Sequence, residues 1–288
     1  LMEKTNAQPG DKIKIHLPKT NYEGIFLESS SEEGIVLLKL ESGYNIGFRK
    51  KEILKVEVVK KFEEKERKEL DLKFSREKPK IGMIITGGTI AARLNPKKGG
   101  VDWLTNPEDL FRIYPEIFDI ANVEIETPFT KASEDMDFKD WQKIARVAKK
   151  FLDRQDIKGI IITHGTDFLH YTSAALSFFL RDLKKPVVLT YSQRSIDRAS
   201  SDAALNLECS ALAAISDIAE VMLVGHATTN DDYCFAMPGT KVRKMHTSRR
   251  DAFKVVNGKP FAKISENKII KISDYNLRGN GKAKVKTD

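Results

Sequence analysis

Cysteine is scarce in this chain. Of 288 residues only Cys209 and Cys234 are cysteines, and neither belongs to a C-x-x-C pair. This excludes a disulfide scaffold and leaves no sequence sign of a zinc or dithiol redox site. Long apolar runs are also missing. A stretch such as Ile160-Ile161-Ile162 is far too short to cross a bilayer. The opening residues LMEKTNAQPGDK hold no apolar segment of the signal-peptide kind. These absences predict a cytoplasmic setting and no membrane partner. Neither sign of charge dominates: 49 Lys and Arg face 41 Asp and Glu, a net charge of +8. That balance permits a polyanionic partner, yet it describes a mixed surface and not a basic stripe. With 41% hydrophobic and 31% charged residues the composition is that of a folded globular chain. The length is enough to bury a core without disulfides or metals.

What is present separates into regions. Residues 1–59 read as a small β-barrel module. Lys12-Ile13-Lys14-Ile15-His16-Leu17 alternates polar and apolar residues, the pattern of a half-buried strand. Turn residues then separate Glu23–Glu28, Ile35–Leu40, Tyr44–Phe48 and Leu54–Val59. Five short strands in so few residues predict an SH3-like barrel, whose small size suits docking better than catalysis. Residues 60–80 are dense in mixed charge and predict an exposed helix or linker. Residues 81–274 predict a doubly wound, mostly parallel α/β sheet. Its apolar runs Ile81–Thr86, Gly159–Thr163, Pro186–Tyr191 and Glu220–Val224 have the character of buried parallel strands. Helical spacing lies between them, as in Phe138, Trp141, Ile144, Ala148, Phe151 and Leu152. Residues 275–288 read as a disordered basic tail.

In such a sheet, ligands gather beyond the carboxyl ends of the strands. Two of these ends carry a hydroxyl in a glycine turn: Gly87-Gly88-Thr89 and His164-Gly165-Thr166-Asp167. Glycine allows close backbone approach, and a threonine there is a nucleophile once a base takes its proton. A phosphate-binding turn is the rival reading, but neither G-x-G-x-x-G nor G-x-x-x-x-G-K-[ST] is present. Taken singly, Thr89 and Asp167 also suit helix caps, and Lys244 a surface lysine. His164 and His170 are poorly spaced for one helix face, so no metal site is expected.

The block Ile84-Ile85-Thr86-Gly87-Gly88-Thr89-Ile90-Ala91 resembles the first signature of the L-asparaginase family, and His164-Gly165-Thr166-Asp167 resembles the second. Ala132-Ser133-Glu134-Asp135-Met136, Ser192-Gln193, and Ser201-Asp202 with Asn206-Leu207 are similar to further blocks of that family. Within it, the N-terminal module and the stretch from Gly239 to Phe253 resemble the archaeal GatD branch, subunits of Glu-tRNA(Gln) amidotransferases. The resemblance implies an asparaginase-like fold and an amidase that releases ammonia from glutamine or asparagine. A GatE-like partner would use ATP and Mg to capture the ammonia on misacylated tRNA. No cofactor is implied in this chain, and tRNA(Gln) would be held mainly through the partner. A homodimer is implied as well.

By position, Thr89 matches the family's first catalytic threonine, Thr166 and Asp167 its second threonine and carboxylate, and Lys244 its lysine. Gly88, Ser133, Glu134 and Gly165 fall in the substrate-binding blocks. Two departures stand out. The family usually carries a tyrosine in the loop after its first threonine, whereas here that loop, Arg93–Leu104, has Trp103 but no tyrosine. The family also continues into a C-terminal subdomain that is expected to be missing here. Two other readings stay open: a free cytoplasmic L-asparaginase, and a non-catalytic binding subunit.

Overall fold

The computed structural model describes residues 6–27, 34–42, 44–62, 75, 77–95, 97, 100–103, 108–196, 201–265 and 268–286. The chain divides into two compact units, Leu1–Glu69 with Leu94–Asp102, and Leu70–Arg93 with Trp103–Asp288.

The first unit contains β1 (Lys12–His16), β2 (Asn21–Phe26), β3 (Ile35–Leu40), β4 (Asn45–Arg49) and β5 (Lys55–Lys60). They form an antiparallel sheet in the order β4-β3-β2-β1-β5. Side chains alternate across a strand, so Ile13 and Ile15 of β1 enter one core with Val36, Leu38, Phe48, Ile53 and Val56. The five expected strands are therefore present. Their pairing is that of a sheet with β4 and β5 at its edges. Most of the charged connector expected at 60–80 lies outside the described residues.

The second unit opens with β6 (Lys80–Ile85). The chain then forms a ribbon of β7 (Ala92–Asn95) and β8 (Gly100–Trp103), most of which falls within the first unit. Next come α1 (Glu108–Ile113), α2 (Ile117–Ile120), β9 (Asn122–Glu126), α3 (Phe138–Leu152), β10 (Ile157–Thr163), α4 (Leu169–Phe179), β11 (Leu180–Arg181) and β12 (Val187–Thr190). The chain continues through α5 (Ala203–Ile215), β13 (Val221–His226), β14 (Cys234–Pro238), β15 (Val242–Lys244), β16 (Phe253–Val255), β17 (Ala262–Ser265), β18 (Lys268–Lys271) and β19 (Lys284–Val285). The side chain of Trp103 and the end of its loop lie outside the described residues.

One eight-stranded sheet organises this unit, in the order β18-β17-β14-β13-β12-β10-β6-β9. From β9 to β13 it is parallel. Both faces of these strands are covered, and successive residues serve opposite layers. Met83, Ile161, Val188 and Met222 pack with the side chains of α1, α2 and α5. Ile84, Ile160, Ile162, Leu189 and Leu223 pack with those of α3 and α4. Burial on both sides is why these segments read as continuous apolar runs. α3 begins with a capping box, in which Asp137 accepts from the Lys139 and Asp140 amides and Asp140 accepts from the Asp137 amide.

Two expectations need amending. The sheet is parallel from β9 to β13, as expected, but it is mixed, because β14, β17 and β18 extend it through antiparallel pairings. β17 and β18 are four-residue strands that carry lysines, and they lack the apolar runs that marked the parallel ones. The basic segment after 274 is also not a disordered tail over its described part. Leu277 bridges to Ile218, β19 pairs with β11, and Ala283 is buried. The half-buried Arg278 guanidinium donates to the carbonyls of Ser216, Lys158 and Ala214. Composition suggested solvation, but one arginine here satisfies carbonyls at the end of α5.

Candidate active site

The two glycine turns meet at the carboxyl ends of adjacent parallel strands, β6 and β10. The Thr86 hydroxyl donates to the Thr163 carbonyl at 2.8 Å, tying the strand ends together. Gly88 has φ 83° and ψ 170°, a conformation essentially reserved for glycine. A Cβ on Gly88 would lie 2.4 Å from the Gly165 amide nitrogen, so the turns touch backbone to backbone. A Cβ on Gly165 would lie 2.9 Å from the Ser133 side chain. Gly88, Gly165 and Ser133 therefore form one continuous wall. Gly88→Ala is expected to destabilise the protein by about 2–5 kcal/mol, from backbone strain and overpacking together. Denaturant unfolding checks this, and a loss under about 1 kcal/mol would contradict the geometry.

Thr89 follows Gly88 and begins a short 3-10 turn, Thr89–Ala91, where it is half-buried. The buried Ser133 hydroxyl accepts from the Phe168 amide at 3.2 Å and donates to the Glu134 carboxylate at 3.2 Å. This links the 133–134 segment to the start of α4.

Thr166, Asp167 and Lys244 come together from distant parts of the sequence. The Lys244 ammonium donates to the Thr166 hydroxyl at 2.7 Å and to the Asp167 carboxylate at 2.9 Å. Thr166 is buried, the Lys244 side chain is 10% exposed and that of Asp167 is 62% exposed. One end of the group is thus sheltered and the other reaches solvent. Lys244 stands at the end of β15, opposite Phe253 of β16. Between them runs an arm, 245–252, closed at its base by the Met245 amide donating to the Ala252 carbonyl at 2.7 Å. Asp251 is buried beneath Arg249 and Lys254, at 2.8 and 2.7 Å.

His164 lies fully buried beneath this site. Its Nδ1 meets the Gly165 carbonyl at 2.8 Å and its Nε2 the Thr172 hydroxyl at 2.9 Å. Burial pushes its pKa down from 6.5 to about 4, against a smaller opposing effect of the Gly165 hydrogen bond. The unfolded chain therefore binds this proton more readily than the folded one. The resulting stability is complete above about pH 6.5 and is lost as pH falls toward 4, by about 3 kcal/mol in all. Urea unfolding of wild type and His164→Gln at pH 7 and pH 4.5 checks this. The variant should lack most of the difference, and equal pH slopes would refute it.

The neighbouring strand ends hold polar groups that sequence reading assigned no role. Buried Asp202 accepts from the Gln193 amide at 2.9 Å and the Arg194 amide at 3.1 Å. Asn206 donates to the Tyr191 carbonyl at 2.9 Å, and its Oδ1 faces His226 Nδ1 at 2.7 Å. His226 Nε2 meets Asp231 at 2.9 Å, and Arg250 donates to the same carboxylate at 2.8 Å. The His226 ring is fully buried. Asp231 carries no sequence signal, since it sits in an ordinary polar turn, Thr228 to Asp232. Among the described residues no group of three or more His, Cys, Asp or Glu is placed to hold a metal ion.

Residues 80–276 match the family described as "Asparaginase, N-terminal", so the chain belongs to the asparaginase family. Residues 7–59 match the "GatD N-terminal domain". Within that family, the chain falls in the archaeal GatD branch. It is 47% identical to the GatD polypeptide of the glutamyl-tRNA(Gln) amidotransferase of Pyrococcus furiosus, over 99% of this chain and 67% of the relative. It is 44% identical to the corresponding polypeptide of Thermococcus kodakarensis, with the same coverage. The chain thus spans about two thirds of the length of these curated relatives. Among solved structures it resembles the thermostable L-asparaginase from Thermococcus kodakarensis, at 30% identity and a TM-score of 0.62. That likeness covers 72% of this chain and 60% of the other. L-asparaginase I from Vibrio cholerae gives 29% identity and a TM-score of 0.60, with 73% and 61% covered. No described helix is long and apolar enough to cross a membrane.

Proposed function

We propose that this chain is the amide-hydrolysing subunit of a tRNA-dependent amidotransferase, releasing ammonia from glutamine or asparagine. The observation that carries this reading is the Lys244 ammonium shared between Thr166 and Asp167, beside the Gly88–Gly165 contact that brings Thr89 near. An amide is a poor electrophile with a poor leaving group, so its hydrolysis needs a nucleophile, a proton carrier and an oxyanion site. Thr89 Oγ1 attacks the side-chain carbonyl, and the C–N bond breaks as the nitrogen gains a proton and leaves as ammonia. Water then cleaves the threonine ester, giving glutamate or aspartate. Lys244, oriented by Asp167, exchanges protons through Thr166. Gly88, Ser133, Glu134 and Gly165 hold the rest of the amino acid.

The partner is a GatE-like subunit that uses ATP and Mg, with tRNA(Gln) held mainly there, and the amidase chain acts as a homodimer. The match of residues 7–59 to the GatD module favours this over a free asparaginase. Ammonia release from glutamine and from asparagine tests the amidase. Co-purification with the partner, followed by transfer of the amide nitrogen to Glu-tRNA(Gln), tests the assembly. Partner binding with no ammonia release would instead favour a non-catalytic role. Steady release with no partner binding would favour a free asparaginase.

A further inference from the structure

The arm that carries Lys244 to Thr166 is fastened at points far from the reacting atoms. The buried Tyr191 hydroxyl, just past β12, donates to the Arg250 carbonyl at 2.7 Å. The Tyr191 ring lies 4.6 Å from that of Phe253, the residue opposite Lys244. Gly225 makes room for it: a Cβ there would fall 2.4 Å from the Tyr191 ring. The second fastening is a chain of polar groups running from the core to the arm. The Asn206 amide donates to the Tyr191 carbonyl, which turns Asn206 Oδ1 toward His226. The His226 ring thus lies between two acceptors, Asn206 Oδ1 and the Asp231 carboxylate. Asp231 is the last link, holding the buried ring with one oxygen and Arg250 of the arm with the other.

From this geometry we infer that Asp231 is a positioning residue for Lys244, clamping the 245–252 arm to the end of β13 through His226 and Arg250. The hydrogen bonds of Asp231 go to His226 and Arg250, and those of Lys244 to Thr166 and Asp167, so the effect of Asp231 passes through the arm. Its carboxylate is 58% exposed, so the clamp adds little to global stability. It instead restricts where the arm can place an ammonium that must meet two oxygens at hydrogen-bond distance. Small misplacements of that kind lower turnover more than affinity.

This inference rests on the amidase reading, and the experiment separates the two. Hydrogen exchange of peptides covering 245–252 is measured in wild type, Asp231→Ala, Arg250→Ala and the double variant, alongside ammonia release from glutamine. Asp231→Ala should speed exchange of the arm at least several-fold while leaving the melting temperature near wild type. It should also lower kcat roughly 10-fold with KM changed less than about twofold. The double variant should be no worse than Arg250→Ala, and in a Lys244→Met background Asp231→Ala should still loosen the arm but lower turnover no further. Unchanged arm exchange, or unchanged kcat in an enzyme that depends on Lys244, overturns the clamp. If wild type releases no ammonia, the amidase reading falls, and arm exchange alone still decides whether Asp231 fastens the arm.

Discussion

Lys244→Met is expected to lower ammonia release from glutamine by roughly 10²–10⁴, the usual worth of a positioned acid–base group. Methionine keeps the length of the side chain and its place at the end of β15, but loses the ammonium that meets Thr166 and Asp167. Substrate affinity should change less, because the wall of Gly88, Gly165 and Ser133, proposed above to hold the substrate, is built from other elements. Stability should also survive. Asp167 is well exposed and is rehydrated when its partner goes, so the ion pair contributes no more than about 1 kcal/mol. Steady-state kinetics with thermal melting of the same samples checks both halves. A variant that keeps its turnover would remove Lys244 from the mechanism.

Thr89→Val should have a still larger effect, taking glutaminase activity below about one thousandth of wild type. Valine has nearly the same shape as threonine and can follow the half-buried 3-10 turn after Gly88, but it offers no oxygen to attack the amide. Loss of one hydroxyl at a half-buried position costs about 1 kcal/mol or less, so the fold should remain. Mass spectrometry of a slow-substrate reaction adds an independent readout: an acyl adduct should form on the peptide containing Thr89 in wild type and be absent in the variant. An adduct at Thr166 instead would exchange the roles of the two threonines.

Much of the site was legible because its parts are local in sequence. A buried parallel strand has to be apolar on both faces, and the turn that follows it has to change direction tightly. Ile81–Thr86 with Gly87-Gly88-Thr89, and Gly159–Thr163 with Gly165-Thr166-Asp167, therefore announce both strand and site in one run of residues. The first unit was equally readable, since Ile13 and Ile15 alternate with polar neighbours in the rhythm that one-sided burial imposes.

Long-range partners leave no such trace. Lys244 sits in a lysine- and arginine-rich stretch whose composition describes a solvated surface, and only the β15–β16 hairpin brings it to Thr166. Arg278 belongs to a segment as basic and glycine-containing as a disordered tail, yet its guanidinium finds carbonyls left free at the end of α5. β17 and β18 were invisible as strands because each is four residues long and carries lysine, and a short antiparallel strand needs little apolar sequence once a neighbour supplies its hydrogen bonds. The chain by itself thus determined the alternation of its strands, the two glycine turns and the threonines they present. Family resemblance, not local pattern, singled out Lys244, and tertiary structure decided how it meets Thr166 and which carboxylate fastens the arm beside it. Those contacts depend on distances between separate strand ends, and local pattern does not encode such distances.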